Sequence, residues 1–139
     1  MTVKAETESE RLVLQFFATL GSGDLEKVRG MLHENASWTP QVRAVPGAGV
    51  HRGRRAIVDE FLAPVRGLFR PGDPKVIVDT LASKGPLVFA ESHSEGCLAD
   101  GRPYENLYAW AVEVREGKIF AVREYFDSHY VVGLFPGGS

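Results

Sequence analysis

The chain has 139 residues, 44% apolar and 24% charged, a composition typical of one soluble globular domain rather than a disordered chain. Its 16 basic and 18 acidic side chains leave a net charge of -2, which argues against nucleic acid or an anionic membrane as partner. The sequence has no apolar run of transmembrane length, no hydrophobic signal region at its start and a single cysteine, Cys97, which cannot form an internal disulfide. We therefore expect one cytoplasmic domain over residues 1–139.

The chain begins with the pattern of two helices. Thr7 and Glu10 form a capping box ahead of an apolar face that repeats every four residues. This pattern predicts a first helix that ends at the glycine-containing segment 21–23. Asp24 then predicts the cap of a short second helix over 25–32.

A strand, a loop and a helix are predicted next. Residues 35–39 have the character of a strand, and Pro40 closes it because proline has no N–H for a sheet ladder. Residues 41–52 contain proline and glycines and predict a loop. The apolar spacing over 53–69 predicts a helix that Pro64 kinks or divides.

The second half of the chain changes to the two-residue period of strands. Hairpin turns rich in Gly and Pro separate four predicted strands, over 75–83, 87–96, 102–115 and 118–128. Helices followed by a run of antiparallel strands predict an α+β domain, in which the helices pack on one face of a sheet.

The last two strands place unusual side chains on one face of the sheet. Even-numbered residues of the strand that begins at 102 share that face, and they include Tyr104, Asn106, Tyr108 and Trp110. In the last strand the corresponding set is Phe120, Val122, Glu124 and Phe126. Glu124 is then a carboxylate between apolar side chains on the side expected to face the core, which is the anomaly of this sequence.

Two interpretations of Glu124 follow from its surroundings. Burial without a partner raises the pKa of a carboxylic acid, which brings it into the range useful for proton transfer near neutral pH. On this interpretation Glu124 is a general acid or base at the bottom of an apolar pocket. On the alternative interpretation, Glu124 is a structural carboxylate that is hydrogen-bonded or paired to a tyrosine hydroxyl, the Asn106 amide or an arginine.

Four further polar residues are candidates for the same pocket. Asn106 can orient a carboxylate or bind a carbonyl oxygen, and Tyr108 can donate to a developing oxyanion; the alternative for both is packing in the sheet. Ser92 and Ser94 alternate with charged residues on the neighbouring strand. On an inward face their small side chains would leave room for a ligand, but they are equally compatible with surface positions.

Nothing in the sequence predicts a metal or a cofactor. The four histidines have no ligand spacing, so no metal site is expected. A phosphate loop, a dinucleotide fingerprint and a G-x-S-x-G nucleophile elbow are absent from the sequence. Any chemistry is therefore expected to be cofactor-independent.

Three segments together resemble a known group of proteins. These are His51-x-Gly53-Arg54-x-Ala56-Ile57, Tyr104-x-Asn106-x-Tyr108 and the ending from Gly117 to Asp127. They resemble the SnoaL-like group of the ketosteroid-isomerase and nuclear-transport-factor-2-like (NTF2-like) superfamily, and the resemblance extends from the first helix to about residue 130. It implies a cone-shaped, curved antiparallel sheet with N-terminal helices that enclose a pocket (a cystatin-like α+β barrel), and homodimers formed through the outer sheet face. Side chains expected at the cavity are then Phe16, Trp38, Leu62, Asn106, Tyr108, Glu124 and Phe126.

The known chemistries of this superfamily match the chain only at Glu124. The resemblance puts the aspartic acid/base of SnoaL-like polyketide cyclases and the last carboxylate of limonene-epoxide-hydrolase relatives at this position. The base, tyrosine and protonated aspartate of ketosteroid isomerases fall on Pro40, Phe16 and Trp110, so that machinery is absent. The remaining epoxide-hydrolase positions fall on Ser92, Ser94, Trp38 and Pro40.

Two hypotheses of function compete, with a third behind them. The first is an acid/base enzyme of isomerase, cyclase or hydratase/hydrolase type that acts through Glu124 on a small, mostly apolar molecule. The second is a non-catalytic small-ligand-binding or accessory domain that uses the same cavity. The third is a protein-binding module, which would need a large exposed apolar patch beyond the dimer surface.

Overall fold

Seven strands form one curved sheet, and helices close one side of it. The computed structural model of the chain describes residues 3–45 and 47–135. The helical elements are α1 (Glu8–Ser22), α2 (Leu25–Met31), α3 (Gly53–Arg55), a π-helical segment (Ala56–Leu62), α4 (Ala63–Arg66) and α5 (Ser128–Leu134). The strands are β1 (Leu32–Pro40), β2 (His51–Arg52), β3 (Lys75–Lys84), β4 (Leu87–Cys97), β5 (Pro103–Tyr104), β6 (Leu107–Arg115) and β7 (Lys118–Phe126). The predicted α+β class is confirmed. None of the helices within these residues is long and apolar enough to cross a membrane.

The caps of the first helices are those the sequence predicts. Thr7 Oγ1 accepts the N–H of Glu10 at 3.1 Å, and Asp24 accepts the N–H of Lys27 at the start of α2. The Glu10 carboxylate accepts the backbone N–H of Glu6, one residue before the position a regular capping box uses.

The sheet is antiparallel except for one pair of strands. Its order is β2-β1-β7-β6-β4-β3, with β5 paired to β4, and β1 runs parallel to β7. The first long strand therefore lies beside the last one, in the middle of the sheet. The predicted loop over 41–52 also contributes a strand, because its end, β2, pairs with β1.

The helical region around Pro64 continues through the proline, which neither breaks nor ends it. The Ala63 N–H bonds to the carbonyl of Val58, five residues earlier, so the turn before Pro64 is wider than an α-helical turn. A wider turn relieves the clash between a proline ring and the carbonyl four residues before it. Helical structure ends at Arg66, three residues before the predicted end.

Two predictions about the last strands are wrong in detail. A bulge in β7 shifts the register, so that Ile119 is buried and Phe120 is on the outside, where the Arg115 guanidinium lies over its ring. The predicted strand over 102–115 is two strands, β5 and β6, separated by Asn106. The Asn106 side-chain oxygen accepts the Leu107 N–H at 2.8 Å, which replaces a ladder hydrogen bond at this point.

The last described element is a helix, α5, and the prediction assigns its first residue, Ser128, to a strand. β7 stops at Phe126, and the Asp127 side chain accepts the N–H of Tyr130 as the cap of α5. Arg102 donates to the Leu134 carbonyl at 2.9 Å, which holds the other end of α5 near β5. The sheet and α5 together form the walls of an internal space.

Candidate functional site

A cavity of about 620 Å³ lies between the inner sheet face, the end of α1, the helical region around Pro64, and α5. This volume is within the range of small-molecule sites, which bury a ligand among apolar and aromatic side chains with few polar groups. The aromatic residues of the wall are Trp38, Phe61, Phe69, Tyr104, Tyr108, Trp110, Phe126 and Phe135.

Glu124 lies on the inner face of β7 and lines this cavity. Its Oε1 accepts the indole N–H of Trp38 at 2.9 Å, and no other side chain among the described residues bonds to it. Burial raises the pKa of Glu124 to about 7, because it disfavours the charged form more than the Trp38 hydrogen bond favours it. Near neutral pH the acid and the carboxylate are therefore present in comparable amounts. The predicted alternative partners, a tyrosine, Asn106 or an arginine, are not the ones observed.

Trp38 positions that hydrogen bond from β1. The parallel register places Trp38 beside Val122, two residues before Glu124 on β7, so the indole lies diagonally next to the carboxylate. The indole is fully buried and packs against Phe61 and Trp110, with ring centroids 5.8 and 6.0 Å away. This packing holds the N–H donor in place.

Tyr108 provides a second polar group in the cavity wall. Its ring stacks on Trp110, and its hydroxyl lies 2.7 Å from the Tyr104 hydroxyl. Asn106 Nδ2 donates to that Tyr104 oxygen at 2.9 Å, so Tyr104 is free to donate its own proton to Tyr108. Burial raises the pKa of Tyr108 well above its ordinary value, so the phenol keeps its proton and can donate it to a ligand.

The structure places Asn106 away from the predicted position beside Glu124. Among the described residues its side-chain partners are Tyr104, the Asp127 carbonyl and the Leu107 N–H, and it is not part of the cavity wall. Its amide completes hydrogen bonds at the break between β5 and β6. Asn106 therefore positions Tyr104 and contacts the cavity only through it.

Ser92 and Ser94 line the cavity and are buried, which removes the alternative that they are surface residues. Ser92 Oγ accepts the Trp110 indole N–H at 2.9 Å, and Ser94 Oγ accepts the Asn106 backbone N–H at 2.9 Å. Both hydroxyls are thus used by the fold, while their small size leaves open space at this side of the cavity.

Of the three apolar residues predicted for the cavity besides Trp38, two line it and one does not. Leu62 and Phe126 line the cavity. Phe16 does not: it is fully buried in the core, between Phe17 and Trp38, with ring centroids 5.9 Å from each. The apolar face of α1 packs against Trp38 from behind, so Phe16 supports the indole without reaching the open space.

Four charged or titratable residues of the described wall were not proposed as site residues from the sequence: His51, Glu60, Arg66 and His93. His51 stacks on Phe61 with centroids 4.2 Å apart, and Arg66 donates to the backbone carbonyls of Gly21 and Pro74. His51 belongs to the motif that carries the family resemblance, which was the available signal. Its position in the wall depends on pairing between β2 and β1, which a loop prediction does not include.

Comparisons with known proteins agree with this architecture. A family model for the SnoaL-like domain matches residues 13–122. An NTF2-like protein from Burkholderia pseudomallei has a TM-score of 0.80 at 16% identity, covering 94% of this chain and 99% of that one. TerC, co-crystallised with polyporic acid, has a TM-score of 0.78 at 19% identity, covering 92% and 98%. A candidate isomerase from Bacillus subtilis has a TM-score of 0.75 at 24% identity, covering 95% and 94%.

No curated protein matches the chain in a sequence comparison. The solved structures share its fold at low identity, whereas the family model matches more than half of its length. The curved sheet with its helices, the cavity and this match lead to one conclusion: the chain has the fold of NTF2-like proteins and belongs to the SnoaL-like domain family.

Proposed function

We propose that the protein is a cofactor-independent enzyme that transfers protons on a small, mostly apolar molecule through Glu124. The observation that carries this proposal is the pKa of about 7 of a carboxyl group that faces an apolar cavity of about 620 Å³. A general acid or base is most effective when its pKa is close to the working pH. The class of reaction is isomerisation, cyclisation or hydration and its reverse.

The cavity wall favours a flat, unsaturated molecule that carries at least one oxygen. Aromatic side chains line several sides of the space, and stacked or edge contacts with a planar ring suit them. Tyr108 would donate a hydrogen bond to that oxygen, and Glu124 would exchange a proton with the molecule. The co-crystallisation of TerC with polyporic acid supports a small organic ligand for this fold.

One observation favours the second candidate, a binding protein without catalysis. Among the described residues, Glu124 has a hydrogen-bond donor in Trp38 but neither a second carboxylate nor an arginine in contact with it. A cavity of this kind can retain a ligand by burial and by the Tyr108 hydroxyl alone. Binding and proton transfer therefore have to be measured separately.

The test uses 2-tetralone, a planar aryl ketone with exchangeable hydrogens beside its carbonyl. Both tryptophans of the chain, Trp38 and Trp110, line the cavity, so bound ketone changes the intrinsic fluorescence. Exchange of those hydrogens for deuterium in D2O, followed by proton NMR, measures proton transfer. We expect saturable binding and exchange faster than in buffer alone. Binding without exchange contradicts the enzyme and identifies a binder, and absence of binding contradicts both.

The outer sheet face is proposed as the surface of a homodimer. There, Ala82, Ala109 and Ala111 lie in the floor of a shallow trough of about 360 Å³, and Phe89 and Tyr125, each 45% exposed, border it. A second copy can place its aromatic side chains in this trough, since a two-fold interface presents the same patch from both sides. Exposed aromatic side chains around small residues are unusual on a surface that stays in water.

An arginine in the trough should separate the copies. We expect Ala109→Arg to convert a dimeric protein to a monomer in sedimentation-velocity experiments, because the long side chain would fill the trough in which the aromatic side chains of the second copy are placed. Ala63→Arg, on the exposed side of α4, is the matched control and should remain dimeric. A monomeric wild-type protein, or a dimeric Ala109 variant, contradicts this interface.

A further inference from the structure

We infer that His51 is a second proton-transfer residue, acting as the base opposite Glu124 on the same bound molecule. This inference rests on the proposed function and extends it to a pair of groups. His51 lines the cavity and stacks on Phe61, with ring planes inclined by 21°. The wall therefore carries an imidazole in addition to the carboxyl group.

The hydrogen bond of His51 determines which nitrogen can act as a base. Nε2 lies 2.7 Å from the backbone carbonyl of Gly47, and a carbonyl oxygen only accepts, so Nε2 carries the proton. In the neutral ring, Nδ1 then has a lone pair. Within residues 3–45 and 47–135, Nδ1 has no hydrogen-bond partner. The fold thus selects the tautomer whose Nδ1 is ready to accept a proton.

The loop that supplies this carbonyl packs directly against the site. Gly47 has a φ of 87°, and a Cβ at this position would lie 2.9 Å from the Phe61 ring. The close approach of glycine to Phe61 brings the Gly47 carbonyl to His51. The loop, Phe61 and His51 therefore form one packed unit that restricts both the position and the tautomer of the imidazole.

Strand order places His51 and Glu124 on opposite sides of the Trp38 indole. His51 pairs with Trp38 across β2 and β1, while Glu124 lies on β7, on the other side of β1. Two interstrand spacings across the sheet and two residues along the strands separate their backbones by about 12 Å. Both side chains line one cavity, so a ring-sized molecule against the indole can contact both of them.

Other charged groups near His51 are engaged elsewhere. On the helical elements packed against β2, Arg54 donates to a backbone carbonyl of β1, and Asp59 pairs with Arg29. Glu60 lines the cavity and lies 3.6 Å from the Arg55 guanidinium. Across the cavity, Arg66 bonds to two backbone carbonyls. His93, also in the wall, lies 2.8 Å from the Asp79 carboxylate and 3.2 Å from that of Glu95. Apart from the tyrosines, Glu124 is the ionisable side chain of the described wall that is left to act with His51.

His51 and Glu124 each carry out one of the two proton transfers of an enolisation. His51 Nδ1 takes a proton from the carbon beside a carbonyl, and the C–H electron pair becomes the C=C bond of the enol. Protonated Glu124 gives its proton to the carbonyl oxygen and becomes a carboxylate that still accepts the Trp38 N–H. Reversal of both transfers, at the same or at a conjugated carbon, restores the two residues and yields exchange or isomerisation.

The first test is deuterium exchange of 2-tetralone by the full-length protein. We expect His51→Gln, whose amide can still donate to the Gly47 carbonyl, to slow exchange by about 10²- to 10⁴-fold, the usual contribution of a general base. His129→Gln, at an exposed position of α5, is the control and should retain full activity.

The outcomes separate this inference from the proposed function. Exchange within two-fold of wild type in His51→Gln, together with a large loss in Glu124→Gln, overturns the role of His51 alone. Full exchange in Glu124→Gln overturns the proposed function itself. Wild-type protein that does not exchange 2-tetralone overturns both.

A second measurement does not depend on catalysis. Nitrogen-15 NMR of the imidazole groups distinguishes the two tautomers, and His51 should show a protonated Nε2 and an unprotonated Nδ1. Addition of 2-tetralone should shift the His51 Nδ1 resonance and leave that of His129 unchanged. The opposite tautomer, or a His51 signal that does not respond to bound ketone, contradicts the inference.

Discussion

Replacement of Glu124 by glutamine should slow proton transfer by about 10²- to 10⁴-fold, as expected when a general acid is lost, and should also stabilise the folded protein above pH 7. The amide has nearly the same shape and can accept the Trp38 N–H, so binding of 2-tetralone should persist. It cannot give up a proton and form a carboxylate. Loss of exchange with retained fluorescence binding is therefore the expected result.

The effect on stability follows from the sign of the pKa shift. Burial raises the pKa of Glu124 from its ordinary 4.5 to about 7 in the folded state, so the folded protein holds this proton more tightly than the unfolded chain. The free energy of unfolding is therefore unaffected below pH 4.5, falls as the pH rises, and stops falling above about pH 7. The shift corresponds to about 3 kcal/mol, an upper figure because the side chain faces a cavity that water can enter.

Urea unfolding at several pH values measures this effect. Glutamine is neutral throughout, so the variant should be as stable as the wild type near pH 4.5 and increasingly more stable up to about pH 7. A stability difference that does not change with pH would show that the carboxyl group is fully solvated. A more stable Glu124→Gln variant would mean that the buried carboxyl group serves activity at the expense of stability.

The second large expected effect is a loss of stability that depends on pH. The two tryptophans provide a matched pair of variants to measure it. Trp38 donates to the Glu124 carboxyl group and Trp110 donates to the Ser92 hydroxyl, both at 2.9 Å. Replacing either tryptophan by phenylalanine removes an indole N–H donor and part of a buried ring. The unsatisfied acceptor alone should lower the free energy of unfolding by about 1–3 kcal/mol. Above pH 7, Trp38→Phe also leaves a buried carboxylate without a donor.

The two variants should therefore differ in how their stability depends on pH. Hydrogen bonds to charged groups contribute about 1.5–3 kcal/mol, against 0.5–1.5 for neutral pairs. The Trp38→Phe cost should grow by roughly 1–2 kcal/mol between pH 4.5 and pH 8, and the pKa of Glu124 should rise further above 7. Trp110→Phe should have the same cost throughout. Equal pH dependence in the two variants would contradict a direct bond between Trp38 and the carboxyl group.

Local sequence patterns predicted the structure correctly where interactions between residues close in the chain decide it. The Thr7 and Asp24 caps and the alternation around Glu124 depend on neighbours only a few residues away. A carboxylate on an apolar face can be predicted from the sequence alone, because a strand with one buried face alternates apolar and polar residues. The predicted fold class and family are also confirmed.

Predictions were wrong where one residue alters a regular pattern. The bulge in β7 exchanges the faces of Ile119 and Phe120, and alternation does not reveal the extra residue that causes it. The Asn106 side chain replaces a backbone partner and breaks a predicted strand in two. The cap at Asp127, followed by apolar residues at helical spacing, was a local signal for α5 that a long strand prediction concealed.

The sequence by itself determined the order of the helices and strands apart from β2, β5 and α5, the family, and the presence of a carboxyl group on an apolar face. The tertiary structure decided which groups meet that carboxyl group, because each comes from a distant segment. The parallel β1–β7 pair brings Trp38 to Glu124, 86 residues away in the chain. The pairing of β2 with β1 brings His51 to the cavity wall. The side-chain hydrogen bonds of Asn106 hold that residue outside the wall. Such contacts depend on strand order and register over long separations, which local periodicity does not encode.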